Sequence, residues 1–185
     1  MESMISNSRL NDLSGSKWIA FTKKWFVLSP SSRKEKIIHP ASFSEELVRD
    51  FIEFFTKVGD LVIDPFAGTG TTLKVSKQLG RNSLGIELYP EYADFARGFM
   101  GNSQGEGNAF LIQGDSRKSL KDLKKKYDSK IDFCITSPPY WSQLNECSER
   151  NLNRKDNGLQ VKYGELTEDL GTIENYEQFL KEQEI

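Results

Sequence analysis

Between Leu61 and Thr136, short apolar runs alternate with stretches of helical spacing, and few folds accept such a chain. The runs are Leu61 to Asp64, Asn82 to Leu88 (NSLGIEL), Ala109 to Gln113 and Lys130 to Thr136 (KIDFCIT). Each has the length and composition of a buried strand. Thr71 to Leu79, Pro90 to Met100 and Ser116 to Tyr127 separate them with helical patterns; Gly80 ends the first and Pro90 opens the second. An earlier helix is predicted over Ser44 to Val58, where Leu47, Val48, Phe51, Ile52, Phe54 and Phe55 share one face and Ser42 with Glu45 forms a capping box. Strands joined through helices imply an α/β, Rossmann-like parallel sheet with helices on both faces. In such sheets ligands bind beyond the carboxyl ends of the strands, so functional residues are expected just after each strand.

Composition narrows the class. With 185 residues, 37% hydrophobic and 28% charged, the chain can bury a real core and is neither disordered nor low-complexity. No apolar run approaches the ~18 to 20 residues of a bilayer crossing, and the N-terminus has no apolar core of a signal peptide. The expected location is the cytoplasm, without a membrane. Two cysteines thirteen residues apart and a single histidine suggest neither a zinc site nor a disulfide framework. Both Cys134 and Cys147 read as reduced thiols, Cys134 as a core residue, and no metal is expected. A net charge of -2 does not advertise nucleic-acid binding, nor does it exclude it. The basic groups at Lys23, Lys24, Arg33, Lys34 and Lys36, and at Lys118, Lys121, Lys124, Lys125 and Lys126, read as solvated faces.

The strand ends carry the chemistry. After the first comes Asp64-Pro65-Phe66-Ala67-Gly68-Thr69-Gly70-Thr71-Thr72, a turn whose glycines admit close approach of a ligand to backbone N–H donors. It lacks the third glycine of a dinucleotide fingerprint and the lysine of a phosphate-binding loop. Glu87, at the end of the second strand and followed by Leu88, can accept from two ribose hydroxyls. Asp115-Ser116, after the third, is placed to read an adenine amino group or to cap the next helix. Together these describe a nucleoside without a phosphate tail. The fourth strand ends in Thr136-Ser137-Pro138-Pro139-Tyr140-Trp141. Two prolines fix the backbone and leave carbonyl acceptors, Ser137 adds another acceptor, and the two aromatics offer faces for stacking a base.

DPFAGTGTT, GIEL, GD and TSPPYW in this order resemble the S-adenosylmethionine-dependent DNA methyltransferases that modify exocyclic amines, the N-4 cytosine and N-6 adenine group. FTKKWFV (Phe21 to Val27) and HPASF (His39 to Phe43) resemble the segments that precede the cofactor loop there, so the likeness runs from about Leu10 to Tyr140. The tail YGELTEDLGTIENYEQFL is similar to that group as well. The resemblance implies that S-adenosylmethionine is held by the loop from Asp64 to Thr72, with Phe66, Gly68 and Gly70 shaping it. It implies Glu87 and Leu88 at the ribose, Asp115 and Ser116 near the adenine, and His39, Pro40, Ala41 and Phe43 over the methionine end. Ser137, Pro138, Pro139 and Tyr140 would surround a base flipped out of double-stranded DNA. Serine at the first of these positions is commonest among cytosine N-4 enzymes, Asp or Asn among adenine enzymes.

The implied reaction is a direct methyl transfer to the N-4 amine of cytosine, with adenine N-6 the alternative. Ser137 and the Pro138 carbonyl would accept the two hydrogens of a poorly nucleophilic amine. Tyr140 would stack on the base, which cannot be reached inside a duplex. No cysteine nucleophile is needed. Residues 1–43 are expected to pack near the cofactor site, 44–141 to form the cofactor-binding and catalytic core, and 142–185 to be a polar loop and helix beginning a further C-terminal part. Only 45 residues follow Tyr140, and KIDFCIT as a last strand would present an apolar edge. The expectation is therefore a fold lacking its C-terminal strands, completed by a second polypeptide or a missing C-terminal region. A cognate restriction endonuclease is a further candidate partner. An RNA or protein methyltransferase, or a non-catalytic S-adenosylmethionine-binding fragment, are the other readings.

Overall fold

A computed structural model of the chain describes residues 9–23, 43–127, 130–141, 164 and 166–183. Helix α1 (Gly15–Thr22) precedes α2 (Glu45–Phe55). Strands and helices then alternate: β1 (Leu61–Asp64), α3 (Thr71–Gln78), β2 (Asn82–Glu87), α4 (Pro90–Gly101), β3 (Ala109–Gln113), α5 (Ser116–Tyr127) and β4 (Phe133–Cys134). A single 3-10 turn at Leu170–Thr172 leads into α6 (Tyr176–Gln183). The four strands form one parallel sheet in the order β3-β2-β1-β4. This is the Rossmann-like arrangement expected from the alternation.

Side chains of β1 point to opposite faces in turn, and each face finds its own helices. Val62 packs with Val48 and Ile52 of α2 and Val75 of α3. Its neighbour Ile63 packs with Leu84, Ile86 and Leu123 of α5 on the other side. Fully burying residues such as Ile52, Leu73 and Ile86 stabilises the fold by about 1.5–3 kcal/mol each. In β2, Gly85 leaves a socket for α3. A Cβ there would stand 2.8 Å from Leu73 Cδ1 and 2.9 Å from Ala67 Cβ, closer than carbon atoms approach.

The boundaries differ from the sequence pattern in three places. Ser44 rather than the expected Ser42 stands at the N-cap position of α2, with no capping hydrogen bond from its side chain, and the first turn carries Glu45 and Glu46 where carboxylates favour the helix dipole; Ser42 lies outside the described residues. It stops at Phe55, three residues early, because Thr56 is extended and turns its hydroxyl back to the Ile52 carbonyl at 2.5 Å. The fourth strand is two residues long, although Asp132 N–H to Leu61 and Ile135 N–H to Ile63 continue the pairing at each end. Here the reading of Cys134 is corrected: its thiol is exposed. Cys134 lies level with Ile63 in the register, and α5 covers β1 and β2 without reaching the edge strand. The residue is apolar enough for a core but stays exposed on the edge strand.

Helix α1 carries no signal in the sequence because none of its residues is buried. It is held by rings: Phe21 stacks on Phe54 at 4.0 Å between centroids, and Trp18 on the same ring at 6.0 Å. Among the described residues no helix is long and apolar enough to cross a membrane.

Candidate functional site

The carboxyl ends of the strands open into one cleft, the place where ligands bind in parallel α/β sheets. Asp64 forms its floor. At 2% exposure its carboxylate accepts from Phe66 N–H at 3.1 Å, Thr72 Oγ1 at 2.6 Å and Thr136 Oγ1 at 2.8 Å. Burial pushes the Asp64 carboxyl up against these stabilising donors. One side chain thus joins β1, the start of α3 and the turn after β4.

The turn between β1 and α3 closes tightly. Gly70 sits at a φ of +80°, a left-handed conformation that favours glycine. A Cβ at Gly70 would also lie 2.8 Å from Ala96 Cβ on α4, so sterics and backbone select the same residue. Ala67 N–H donates to the Ile86 carbonyl at 2.8 Å, which pins the turn against β2.

Glu87 is buried at the end of β2 and fastens two backbone segments. Its carboxylate accepts from Gly68 N–H at 2.8 Å and Tyr89 N–H at 2.9 Å. Burial, with the nearby Asp64 charge adding to it, raises its pKa to about 7 despite those donors. Asp115 behaves differently. Burial tends to raise it, but Arg117 donates from its backbone N–H at 2.9 Å, from Nε at 3.0 Å and from Nη2 at 2.9 Å, holding the carboxyl below the usual range. Of the two readings of Asp115, the observed hydrogen bonds are those of a cap on α5. Ser116 Oγ donates to the Pro65 carbonyl, tying α5 to the turn after β1.

Across the cleft, Ser137 Oγ and Tyr140 Oη share a hydrogen bond of 2.5 Å, with Tyr140 51% exposed. Of the expected residues, Phe43, Asp64, Phe66, Ala67, Gly68, Thr69, Thr71 and Thr72 line the cleft, as do Glu87, Leu88, Asp115, Ser116, Ser137 and Pro139. Pro65, Gly70, Pro138 and Tyr140 stand behind or beside it, shaping turns rather than its wall. His39, Pro40 and Ala41 lie outside the described residues.

Glu168, Asp169 and Leu170 also line the cleft, and nothing in the local pattern of the sequence assigns them to it. Asp169 Oδ1 accepts from Gly171 N–H at 2.7 Å, a local turn that the Asp-Leu-Gly sequence could have signalled. Its other oxygen accepts from Tyr89 Oη at 2.7 Å across eighty positions, which no short-range pattern predicts. The described lining holds five carboxylates, Asp64, Glu87, Asp115, Glu168 and Asp169, and no lysine or arginine. Burial favours the protonated forms of Asp64 and Glu87 and Arg117 pairs with Asp115, so the lining offers oxygen acceptors and no cation, which suits a ligand without a phosphate.

The comparisons agree with the motifs. A curated type II methyltransferase from Geobacillus stearothermophilus, M.BsoBI, is 41% identical over 149 residues, covering 77% of this chain and 24% of the relative. M.MjaI from Methanocaldococcus jannaschii is 44% identical over 69 residues, covering 37% of this chain and 23% of the relative. A solved Thermus thermophilus protein complexed with S-adenosyl-L-methionine is 34% identical, with a TM-score of 0.42 over 56% of this chain and 39% of that one. The matches span about a quarter of the two curated relatives' length. The family described as N6_N4_Mtase, DNA methylase, matches residues 5–98, just over half of the sequence, and the chain belongs to that family.

Proposed function

We propose that this chain carries the S-adenosylmethionine-binding and catalytic core of a DNA methyltransferase that modifies the exocyclic N-4 amine of cytosine. The observation that supports it most is the acidic cleft at the strand ends, running from Glu87 and Asp115 at one side of the sheet to Ser137 at the other. S-adenosylmethionine fits this donor set, being a nucleoside with a sulfonium and an ammonium and no phosphate. Glu87 and Leu88 would hold the ribose, the Asp64 to Thr72 loop the amino-acid part, and Asp115 with Ser116 the surroundings of the adenine. When bound, the cofactor supplies an electrophilic methyl group.

The remaining work falls to the turn after β4. The lone pair of an exocyclic amine is delocalised into the ring, so acceptors that take its two hydrogens draw the nitrogen toward tetrahedral geometry. Ser137 Oγ and the Pro138 carbonyl are the acceptors proposed, and Tyr140 the stacking face. In the orientation in which Tyr140 Oη donates to Ser137 Oγ, the serine oxygen keeps a second lone pair for the amine. Holding amine and methyl in line can account for ~7 to 11 kcal/mol of barrier, without a covalent intermediate. The target would be a flipped base in double-stranded DNA.

The test is nucleoside-resolved mass spectrometry of unmodified DNA incubated with the protein and S-adenosylmethionine, with Ser137→Ala alongside. N-4 methylcytosine, lost in Ser137→Ala, is expected. N-6 methyladenine would keep the mechanism and overturn the base. Cofactor binding with no methylated base would leave a binding fragment.

A further inference from the structure

The sheet order places the ends of β2 and β3 on the side of the cleft away from Ser137. The segment from residue 166 to 183 is anchored at those two ends. Tyr89, directly after β2, donates its hydroxyl to Asp169 in a buried pair; burial and the facing carboxylate both push the tyrosine pKa up. Gly164 lies against the same ring, where a Cβ would meet Cε1 at 2.1 Å. Arg117, in the first turn of α5 after β3, reaches out from its Asp115 bonds to the Glu182 carboxylate of α6 and to the Glu168 carbonyl at 3.0 Å. The segment then buries Leu170 and Phe179 to 3% and 6% exposure, and Tyr176 meets the Trp141 ring edge-on at 5.2 Å.

A loop that merely covered the surface would not need both anchors, and three of its residues in a row would not line the cavity. We infer that residues 166–183 form the nucleoside-side wall of the cleft, with Tyr89 and Arg117 as the positioning residues that hold Glu168, Asp169 and Leu170 against an adenosine-bearing ligand. This rests on the proposal that the cleft takes S-adenosylmethionine. Removing one anchor frees the wall, so the ligand loses a face whose ordering must then be supplied on binding.

The experiment is calorimetric titration of the protein with S-adenosylmethionine and, separately, with adenosine. Tyr89→Phe removes only the hydroxyl and keeps the ring under Gly164; Arg117→Ala removes the second anchor. Each is expected to weaken both ligands by the same factor, about tenfold, because the loss lies in the nucleoside half they share. Hydrogen exchange on the wild type provides a check independent of either substitution: adenosine is expected to slow exchange at Gly171 and Thr172. Unchanged affinities in folded variants, a loss confined to S-adenosylmethionine, or no slowing at Gly171 and Thr172 would overturn the wall. A wild type that binds neither ligand would overturn the reading of the cleft, and the wall with it.

Discussion

At the end of β1 a buried carboxylate gathers three donors and a glycine turn is clamped between two layers, whereas β4 pairs for two residues and ends in a turn whose serine and tyrosine hydroxyls bond each other. The first region is packed and polar-saturated before any ligand arrives. The second is held to it by the 2.8 Å bond from Thr136 to Asp64 and by Ile135 against the α2 core. The contrast teaches that the proposed cofactor pocket is preformed, while the proposed base pocket keeps its tyrosine half exposed. Substitutions on the two sides should therefore differ in kind: those near β1 unfold or shift the titration of the protein, those near β4 alter reactivity at little cost in stability.

Gly70→Val should break the comparison most severely. A side chain there meets Ala96 and adopts an unfavourable left-handed backbone, so overpacking and strain together cost about 2–5 kcal/mol, read as a fall in urea midpoint. Glu87→Gln comes next, and its effect depends on pH. Burial raises the folded pKa to about 7 from 4.5, so between those values the folded chain keeps a proton that the unfolded chain has released. Stability should fall as pH rises across that window, by up to ~3 kcal/mol from Glu87, and Gln should flatten the slope in urea titrations from pH 4 to 8, leaving the part that buried Asp64 contributes. Adenosine affinity in the wild type should rise through pH 7 as the acceptor ionises.

Thr136→Val sharpens the comparison, because it cuts the link between the two regions and leaves buried Asp64 Oδ1 with the longer Phe66 N–H bond but without its hydroxyl donor. A loss of about 1–3 kcal/mol is expected, with methyl transfer reduced more than S-adenosylmethionine affinity and Ser restoring both. An equal loss of affinity and turnover would contradict the separation of the two regions. Cys134→Ser should change stability by less than ~0.5 kcal/mol, since the position is exposed. The same thiol should react with a maleimide in the folded protein, which a core cysteine would not do.

The sheet was legible because its strands alternate with helices that each bury a face, and because β1 to β3 begin and end within a residue of their apolar runs. The residues around Asp64 and Glu87 were legible for the same reason, as unusual groups at strand ends. What escaped was chemistry joined over long separations or by exposed rings. Asp169 pairs with Tyr89 eighty residues away, and α1 adheres through Phe21 and Trp18 without burying a residue. Cys134 was misread because hydrophobicity reports which side chains could be covered, and coverage at an edge strand depends on which element lies over it.

Gly85 gives the GIEL sequence a second meaning. With Leu73 and Ala67 already where a Cβ would go, this glycine sets how near α3 can approach the sheet, and with it how far the first turn of that helix stands from Glu87. The interlayer gap is thus written into the motif whose glutamate is proposed to hold the ribose. A library that diversifies the motif to change ligand choice would vary a spacer together with a receptor, and only the glutamate would report on the receptor.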